Sequence, residues 1–180
     1  MSFSWKTAHY EGKLFFLFEV KDDSLSNSDQ AYSWLNDCIE INIDHQNIGG
    51  NRITEIGSAN TLEDRLGKRL RGHEMHFLPA PDPKVFLDDT KSVYYTDTAQ
   101  NQLFKKEWHG EVSFKKTING YLMEIGFAIP NFYAQAGQKI GVDVAICDDD
   151  GKGRKSLLLW SGYKGEFWLT MDNFKKMDLK

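Results

Sequence analysis

The sequence predicts an all-β fold, an antiparallel β-sandwich of the jelly-roll or immunoglobulin-like kind. Short segments rich in β-branched and aromatic residues recur along the 180 residues, and turn-forming residues separate them. Two of these segments flank an Asn-Gly pair, which is typical of a β-hairpin. Amphipathic helical periodicity is almost absent. Together these observations favour a single domain over residues 1–180, with a long loop insertion at residues 46–72.

Composition and charge disfavour several classes of protein. A content of 41% hydrophobic residues is too high for intrinsic disorder. The formal net charge is −4 and the cations form no stripe, so nucleic acid is not an expected partner. The longest apolar run, from Leu14 to Phe18, is too short to span a bilayer. No membrane partner is therefore expected, and no signal peptide is visible at the start of the sequence.

The first predicted strands lie in the N-terminal quarter of the chain. Lys13–Lys21 (KLFFLFEVK) is short, aromatic and bounded by turn residues, which predicts a buried strand. A polar loop follows at residues 23–33. Cys38–Asp44 then alternates, with three isoleucines on one side and Glu40 and Asn42 on the other. This alternation predicts a half-buried strand with one polar face.

The middle of the chain is less regular. Residues 46–72 contain Gly49-Gly50 and only a brief helix-like pattern, so we expect a long excursion from the sheet. Residues 75–78 return to it. Three prolines at 79, 81 and 83 then interrupt regular structure, because each fixes φ and removes a backbone donor.

Residues 111–130 carry the clearest local signal. Apolar residues alternate up to Asn119-Gly120 and alternate again after it. Because Asn-Gly supplies the positive φ angles of a type I′ turn, this segment is predicted to be a hairpin. Further strands are predicted at residues 140–146 and 157–160, with an acidic turn at residues 148–151 between them.

The two cysteines, Cys38 and Cys147, are too few for a disulfide framework, and neither lies in a CxxC pair. Free buried thiols are favoured over a single bridge, and the cysteines leave the cellular compartment undecided.

Two tryptophans lie in polar, loop-like sequence, Trp34 before a strand and Trp168 near the C-terminus. Aromatic rings of this kind bind glycans, because the apolar C–H face of a sugar packs on them while its hydroxyls need directional partners. Glu40 and Asn42 would supply such partners. The alternatives are that the tryptophans belong to the core and that the strand face is merely solvated. Trp160, inside an apolar run, is predicted to be a core residue.

Catalysis is not expected, because GxSxG, HExxH and P-loop motifs are absent and no pair of acids is marked by its spacing. The run from Asp148 to Gly151 predicts a tight turn, with a calcium site through Asp148 and Asp150 as the alternative. His73-x-x-His76 beside Met75 leaves zinc or haem iron as minor alternatives.

The segment WLNDCIEINID at residues 34–44 resembles family 9 carbohydrate-binding modules of the DOMON-like β-sandwich superfamily. In that family a Trp, a spacer and an Asp precede a strand that reads V/I-E-I-x-I-D. The resemblance covers residues 9–179 and includes four more segments: 14–22 (LFFLFEVKD), 120–130, 137–150, and the tail made of 160–161 and 174–179.

The resemblance implies a non-catalytic module that binds a mono- or oligosaccharide, including glycan reducing ends, between Trp34 and Trp168. Glu40 matches a strand glutamate that hydrogen-bonds sugar hydroxyls. Departures are also visible. The family's central strand offers Arg and Asn, whereas residues 77–80 offer neither, and Ala145 stands in place of a glutamine. His76 is a candidate to replace them, as are His73 and Arg71.

The resemblance also implies a context. It places the module in the breakdown of plant polysaccharides such as xylan or cellulose, outside the cell or at its surface. A glycoside hydrolase in the same polypeptide is then a possible partner, and calcium a structural cofactor. The usual N-terminal strands precede the point at which this chain begins, so the expectation is either a fragment of a longer modular protein or a short variant that has lost those strands. The alternatives are a haem-binding redox module that uses Met75 with His9, His73 or His76, and a structural domain that has lost sugar binding.

Overall fold

The fold is a sandwich of two antiparallel sheets, which confirms the predicted fold class. It is seen in a computed structural model that describes residues 1–27, 32–51, 72–87, 102, 104–162 and 170–180. The strands of these residues are β1 (Ser2–Tyr10), β2 (Lys13–Lys21), β3 (Cys38–Asp44), β4 (His73–Leu78), β5 (Lys84–Leu87), β6 (Glu111–Thr117), β7 (Gly120–Phe127), β8 (Lys139–Asp149), β9 (Arg154–Leu159) and β10 (Lys175–Asp178).

The first sheet has four strands in the order β1-β2-β7-β6. The second has six, with β10-β8-β3-β4-β5 in one row and β9 also paired to β8. Strand β8 is long enough for one of its edges to pair with β3, while β9 and β10 share the other edge. This arrangement places β3 in the middle of the second sheet, between β4 and β8.

The core lies between the two sheets. Alternate residues of β2, β3, β7 and β8 point into it, as the period of two predicts. In β3 the inward residues are Ile39, Ile41 and Ile43, all fully buried. Phe16 and Phe18 of β2 face them from the other sheet. These contacts bury the apolar half of each strand and leave the other half of β3 pointing away from the first sheet.

Short helical pieces complete the described structure. A 3-10 helix at Ser33–Leu35 precedes β3, and residues 104–107 form a helical turn whose Phe104 is buried in the core. Within the part of the chain that the structure describes, no helix has the length and apolar character needed to cross a bilayer.

The structure corrects the sequence analysis at three places. Strands β1, β5 and β10 were not predicted. Strand β3 was expected to be half-buried, with Glu40 and Asn42 on its polar face, but every residue of β3 is buried. The hairpin between β6 and β7 is confirmed, yet its turn residues are Ile118 and Asn119, and neither has a positive φ. Only Gly120, the first residue of β7, has one, at 140°, so the turn is not of type I′. Most of the predicted excursion, residues 52–71, lies outside the described residues.

Candidate functional site

The outer face of the six-stranded sheet carries a buried layer of polar side chains. On β3 this layer consists of Glu40 and Asn42, which are 2% and 0% exposed. On β4 it consists of Glu74 and His76, each 3% exposed. Since buried polar groups are costly unless they are paired, this layer is the most unusual feature of the described structure.

Strand register brings these four side chains together. Glu40 lies opposite His76, and Asn42 lies opposite Glu74, across the β3–β4 pairing. All four alternate with core residues on their strands, so they share the outer face. We refer to Glu40, Asn42, Glu74 and His76 as the polar patch.

Hydrogen bonds fix three members of the polar patch. The Nε2 atom of His76 lies 3.0 Å from Oε1 of Glu74, and Nδ1 of the same ring lies 2.7 Å from Oγ of Ser33. The thiol of Cys147 donates to Oε1 of Glu40 at 3.1 Å. The imidazole is thus held at both nitrogens, and Glu40 is held from the β8 side.

Asn42 differs from its neighbours in the patch. Its side chain is fully buried, yet neither the Oδ1 nor the Nδ2 atom has a hydrogen-bond partner among the described residues. Leaving such a group unpaired costs about 1–3 kcal/mol. An amide in this state is free to donate and to accept hydrogen bonds with a ligand.

Burial raises the pKa of Glu40 well above its ordinary value. The neighbouring Cys147 and Glu74 raise this pKa further, while His76 lowers it. The Glu40 carboxyl therefore binds its proton more tightly than an exposed glutamate does. In its protonated form it can donate a hydrogen bond as well as accept one.

Trp34 lies at the rim of the polar patch and is partly exposed. The 3-10 helix positions it: the centre of its ring is 4.9 Å from that of Tyr32 and 6.3 Å from that of His76, which it meets edge-on. Trp168, the second predicted wall of the sugar site, lies outside the described residues. Its pairing with Trp34 stays a prediction.

The remaining histidines and Met75 do not join the patch. His73 and His76 lie three residues apart on a strand, so they point to opposite faces and cannot act as a joint ligand pair. Met75 is buried in the core between the sheets. His73 stacks against His45 with ring centres 5.2 Å apart. The positions of Met75, His73 and His76 therefore offer no support for the alternative of a haem-binding module. Arg71 lies outside the described residues.

The two cysteines are free and buried, as predicted. Cys38 lies directly opposite Cys147 in the β3–β8 register. Burial raises the pKa of the Cys38 thiol. The cysteines contribute to the site through the hydrogen bond that the Cys147 thiol donates to Glu40.

A cluster of three acidic residues lies apart from the polar patch. One carboxylate oxygen each of Asp22, Asp37 and Asp148 falls within 4.8 Å of the others. Burial raises the pKa of Asp37 to about 7 and also raises that of Asp22. The Oδ2 atom of Asp22 has no hydrogen-bond partner among the described residues. We refer to these three residues as the acidic corner.

The other two aspartates of the DDDG run have separate roles. Oδ1 of Asp149 accepts hydrogen bonds from the backbone N–H groups of Gly151, Lys152 and Gly153, which forms the predicted turn. Asp150 is ion-paired with Lys155 at the surface. Of the two predicted calcium ligands, only Asp148 therefore belongs to the acidic corner.

A groove of about 680 Å³ opens at another edge of the sandwich. Its walls include Trp5 and Trp160, whose rings meet edge-on with centres 4.8 Å apart. Trp160, predicted to be a core residue, contacts the core but stays partly exposed. Nζ of Lys175 lies 4.5 Å above the centre of its ring.

Sequence reasoning missed Glu74, Ser33, Asp22 and Asp37 as site residues. Glu74 carried a usable signal, because it lies two residues before His76 and so shares its face of the strand. Ser33 carried none. Asp22 and Asp37 lie in segments that resemble the family, but their meeting with Asp148 depends on contacts between distant parts of the chain.

A sequence model of the family described as carbohydrate family 9 binding domain-like matches residues 84–180. A family 9 carbohydrate binding module from Caldicellulosiruptor kristjanssonii, solved in complex with glucose, superposes with a TM-score of 0.68 and 17% identity, over 99% of this chain and 76% of that chain. A structure from the same organism in complex with cellotriose gives 0.65 and 16%, over 99% and 74%. No curated protein matches the sequence.

Proposed function

The chain belongs to the carbohydrate family 9 binding domain-like family, and from this membership we propose that it is a non-catalytic module that binds a sugar on the polar patch. The membership assigns it carbohydrate binding. The residues that contact the sugar, the identity of the sugar and the biological context are the substance of the proposal.

One observation carries the proposal: the buried, unpaired amide of Asn42 lies beside Glu40 on the outer face of the sheet. A sugar hydroxyl both donates and accepts hydrogen bonds, so it matches an amide and a carboxyl of raised pKa. The partly exposed ring of Trp34 offers a surface for the apolar face of the sugar. His76, edge-on to that ring, is proposed as a further residue of the site, and Trp168 as its opposite wall.

The proposed ligand is glucose or a short β-linked glucan. The two structural relatives carry glucose and cellotriose, and this likeness of fold supports testing the same sugars here. Xylose and xylobiose are the second choice, in keeping with a role in the breakdown of xylan or cellulose. An extracellular location and an attached glycoside hydrolase belong to the same proposal.

Calcium is proposed as a structural ion at the acidic corner. Calcium binds carboxylate oxygens, and three of them converge there from three separate segments of the chain. The unpaired Oδ2 atom of Asp22 fits a role as a ligand. The ion would join the end of β2, the residue before β3 and the end of β8.

The test is a fluorescence titration of the protein with glucose, cellobiose, cellotriose, xylose and xylobiose. We expect a saturable change in tryptophan fluorescence with at least one sugar. In Trp34→Ala this change should be lost, because the stacking surface is gone, while circular dichroism shows the fold retained.

Trp5→Ala is the matched control. Trp5 is also a partly exposed tryptophan beside a groove, so its loss should leave the sugar response in place. An unchanged response in Trp34→Ala contradicts the assigned site. If no sugar produces a response in the unmodified protein, the alternative of a structural or interaction domain is favoured instead.

A further inference from the structure

We infer that the free edge of strand β1 is an interface at which two copies of this chain pair antiparallel, so that the four-stranded sheet of one copy continues into that of the other. Neither the polar patch nor a bound sugar takes part in this interface.

Strand β1 has the properties of an unprotected edge. It is nine residues long, contains no proline or register shift, and pairs with β2 alone among the described strands. A free edge presents N–H and C=O groups that can pair with another strand, and lysines on the edge oppose such pairing. The opposite edge strand of this sheet, β6, has Lys115 and Lys116, whereas the only lysine of β1 is Lys6. Of these two edges, β1 is therefore the one that is open to pairing.

The groove of about 680 Å³ runs along the β1 edge. Residues 3–7 line it without a gap, whereas a groove on the face of a sheet would be lined by alternate residues. Its other wall includes Trp160 and Met177 from the β9 and β10 side of the six-stranded sheet. Phe3 and Trp5 pack against the core but are only partly buried. A strand added to β1 would cover the apolar surface that they leave exposed.

The residue order of β1 is self-complementary about Trp5, the middle residue of the groove wall. In a two-fold antiparallel pair centred there, Trp5 faces Trp5 of the second copy, Phe3 faces Thr7, and Ser4 faces Lys6. Aromatic cross-strand pairs stabilise a sheet, and no like charges meet in this register. A pair centred on Lys6 would instead set two lysines against each other.

Charges on the six-stranded sheet identify a second copy as the occupant of the groove. In β10, Lys176 and Asp178 flank Met177, so a two-fold axis near Met177 brings Lys176 of each copy toward Asp178 of the other. In the single chain, Lys176 Nζ lies 3.9 Å from Asp44 Oδ2, and Asp178 is ion-paired with Lys139 at the surface. An ammonium has three donors, so Lys176 can keep its first contact. Surface ion pairs contribute little, so the exchange at Asp178 costs little.

A two-fold axis perpendicular to the sheets leaves the outer faces of both copies on the same side of the dimer. Under the proposed function, the dimer then presents two polar patches to one polysaccharide chain. Two linked sites raise avidity without a new contact at either site.

The test is sedimentation equilibrium of the full chain without sugar, from micromolar to millimolar concentration. We expect a concentration-dependent equilibrium between monomer and dimer. Ser4 is exposed on the outer face of β1, so a charge can be placed there without disturbing the core. Ser4→Lys sets like charges against Lys6 of the second copy at two symmetric places. It should raise the dissociation constant of the dimer by about 2- to 30-fold, and Ser4→Glu should lower it by a similar factor.

The matched controls are Ser113→Lys and Ser113→Glu, the same substitutions at an exposed serine of the opposite edge strand β6. They should leave the dissociation constant unchanged, and circular dichroism verifies the fold of every variant. A chain that stays monomeric at millimolar concentration overturns the inference. A dimer that the Ser4 variants leave unchanged, or shift in the same direction, also overturns it, because the interface would then lie elsewhere. Both results leave the sugar site untouched, since the measurement contains no sugar.

Discussion

At the scale of single residues, two fully buried asparagines illustrate opposite uses of an amide. The side-chain nitrogen of Asn36 donates to the backbone carbonyls of Tyr32 and Ser33, at 2.9 Å and 3.4 Å, and so holds the segment before β3. The side chain of Asn42 has no such partner among the described residues. Because an unpaired buried amide lowers stability, the state of Asn42 fits the proposed role of this residue in ligand binding.

Replacing Asn42 by Leu should therefore stabilise the free protein. We expect Asn42→Leu to raise the free energy of unfolding by about 1–2 kcal/mol, because it removes an unpaired polar group and adds buried apolar surface. The same substitution should abolish the sugar response. Urea unfolding without ligand measures the first effect, and the fluorescence titration measures the second.

Asn36→Leu is the control of the same chemistry. It removes two hydrogen bonds from a buried segment and should lower the free energy of unfolding by about 1–3 kcal/mol. A loss of stability in Asn42→Leu as large as in Asn36→Leu would show that the amide of Asn42 is already paired in the free protein.

The sequence analysis named three of the four members of the polar patch, Glu40, Asn42 and His76, and missed Glu74. Alternation within β3 was enough to place Glu40 and Asn42 on one face, because a period of two is local information. Their burial depends on β4 and β8 lying on either side, and on residues remote in the chain. The hydroxyl of Ser33 enters the site through that tertiary arrangement, which no local pattern reports, whereas Glu74 lies two residues before His76 and so shares its face of the strand.

At the scale of elements, the strands that were predicted well are those whose sequence shows a strong apolar pattern, on both faces or on one face. The bounds of β2 and β3 agree with the predicted segments. In contrast, β1 is an edge strand whose inward residues are only partly buried, and β5 and β10 have four residues each. Edge position and short length leave too few apolar residues for a period to stand out.

The β6–β7 hairpin was predicted correctly, but its turn differs from the predicted type I′ turn. Gly120 is required because of its φ of 140° and because a Cβ there would clash with the carbonyl oxygen of Val20. The Asn-Gly signal therefore reports contact with the neighbouring β2 strand as well as the turn itself.

Gly120→Ala should destabilise the hairpin and the adjoining end of strand β2. We expect a loss of roughly 2–3 kcal/mol in the free energy of unfolding, since both backbone strain and a backbone clash are introduced. Gly137→Ala is the control: Gly137 also has a positive φ, at 89°, but a Cβ there would meet nothing within 4 Å. Its cost should be about 1 kcal/mol. Equal losses in the two variants, measured by urea unfolding, would show that strain alone decides the effect.

At the scale of the whole molecule, the sandwich keeps several carboxyl groups out of water. Besides Glu40, burial raises the pKa values of Asp22, Asp37 and Asp143. A carboxyl with a raised pKa holds its proton in the folded protein at a pH where the unfolded chain has released it. Between about pH 4 and pH 7 the folded state thus binds more protons than the unfolded state, so stability decreases as the pH rises.

This linkage predicts how pH and calcium act together on the fold. In the presence of a chelator, the midpoint of thermal unfolding should fall from pH 5 to pH 8, as the buried carboxyls ionise. Calcium at pH 8 should restore stability, by about 2.7 kcal/mol at a concentration 100 times its dissociation constant, because it binds the ionised acidic corner only in the folded chain.

Asp37→Asn should remove the calcium effect, and Asp150→Asn, at the exposed Lys155 ion pair, should keep it. A flat pH profile in chelator would contradict the burial of these charges, and a calcium effect retained in Asp37→Asn would place the ion elsewhere in the molecule.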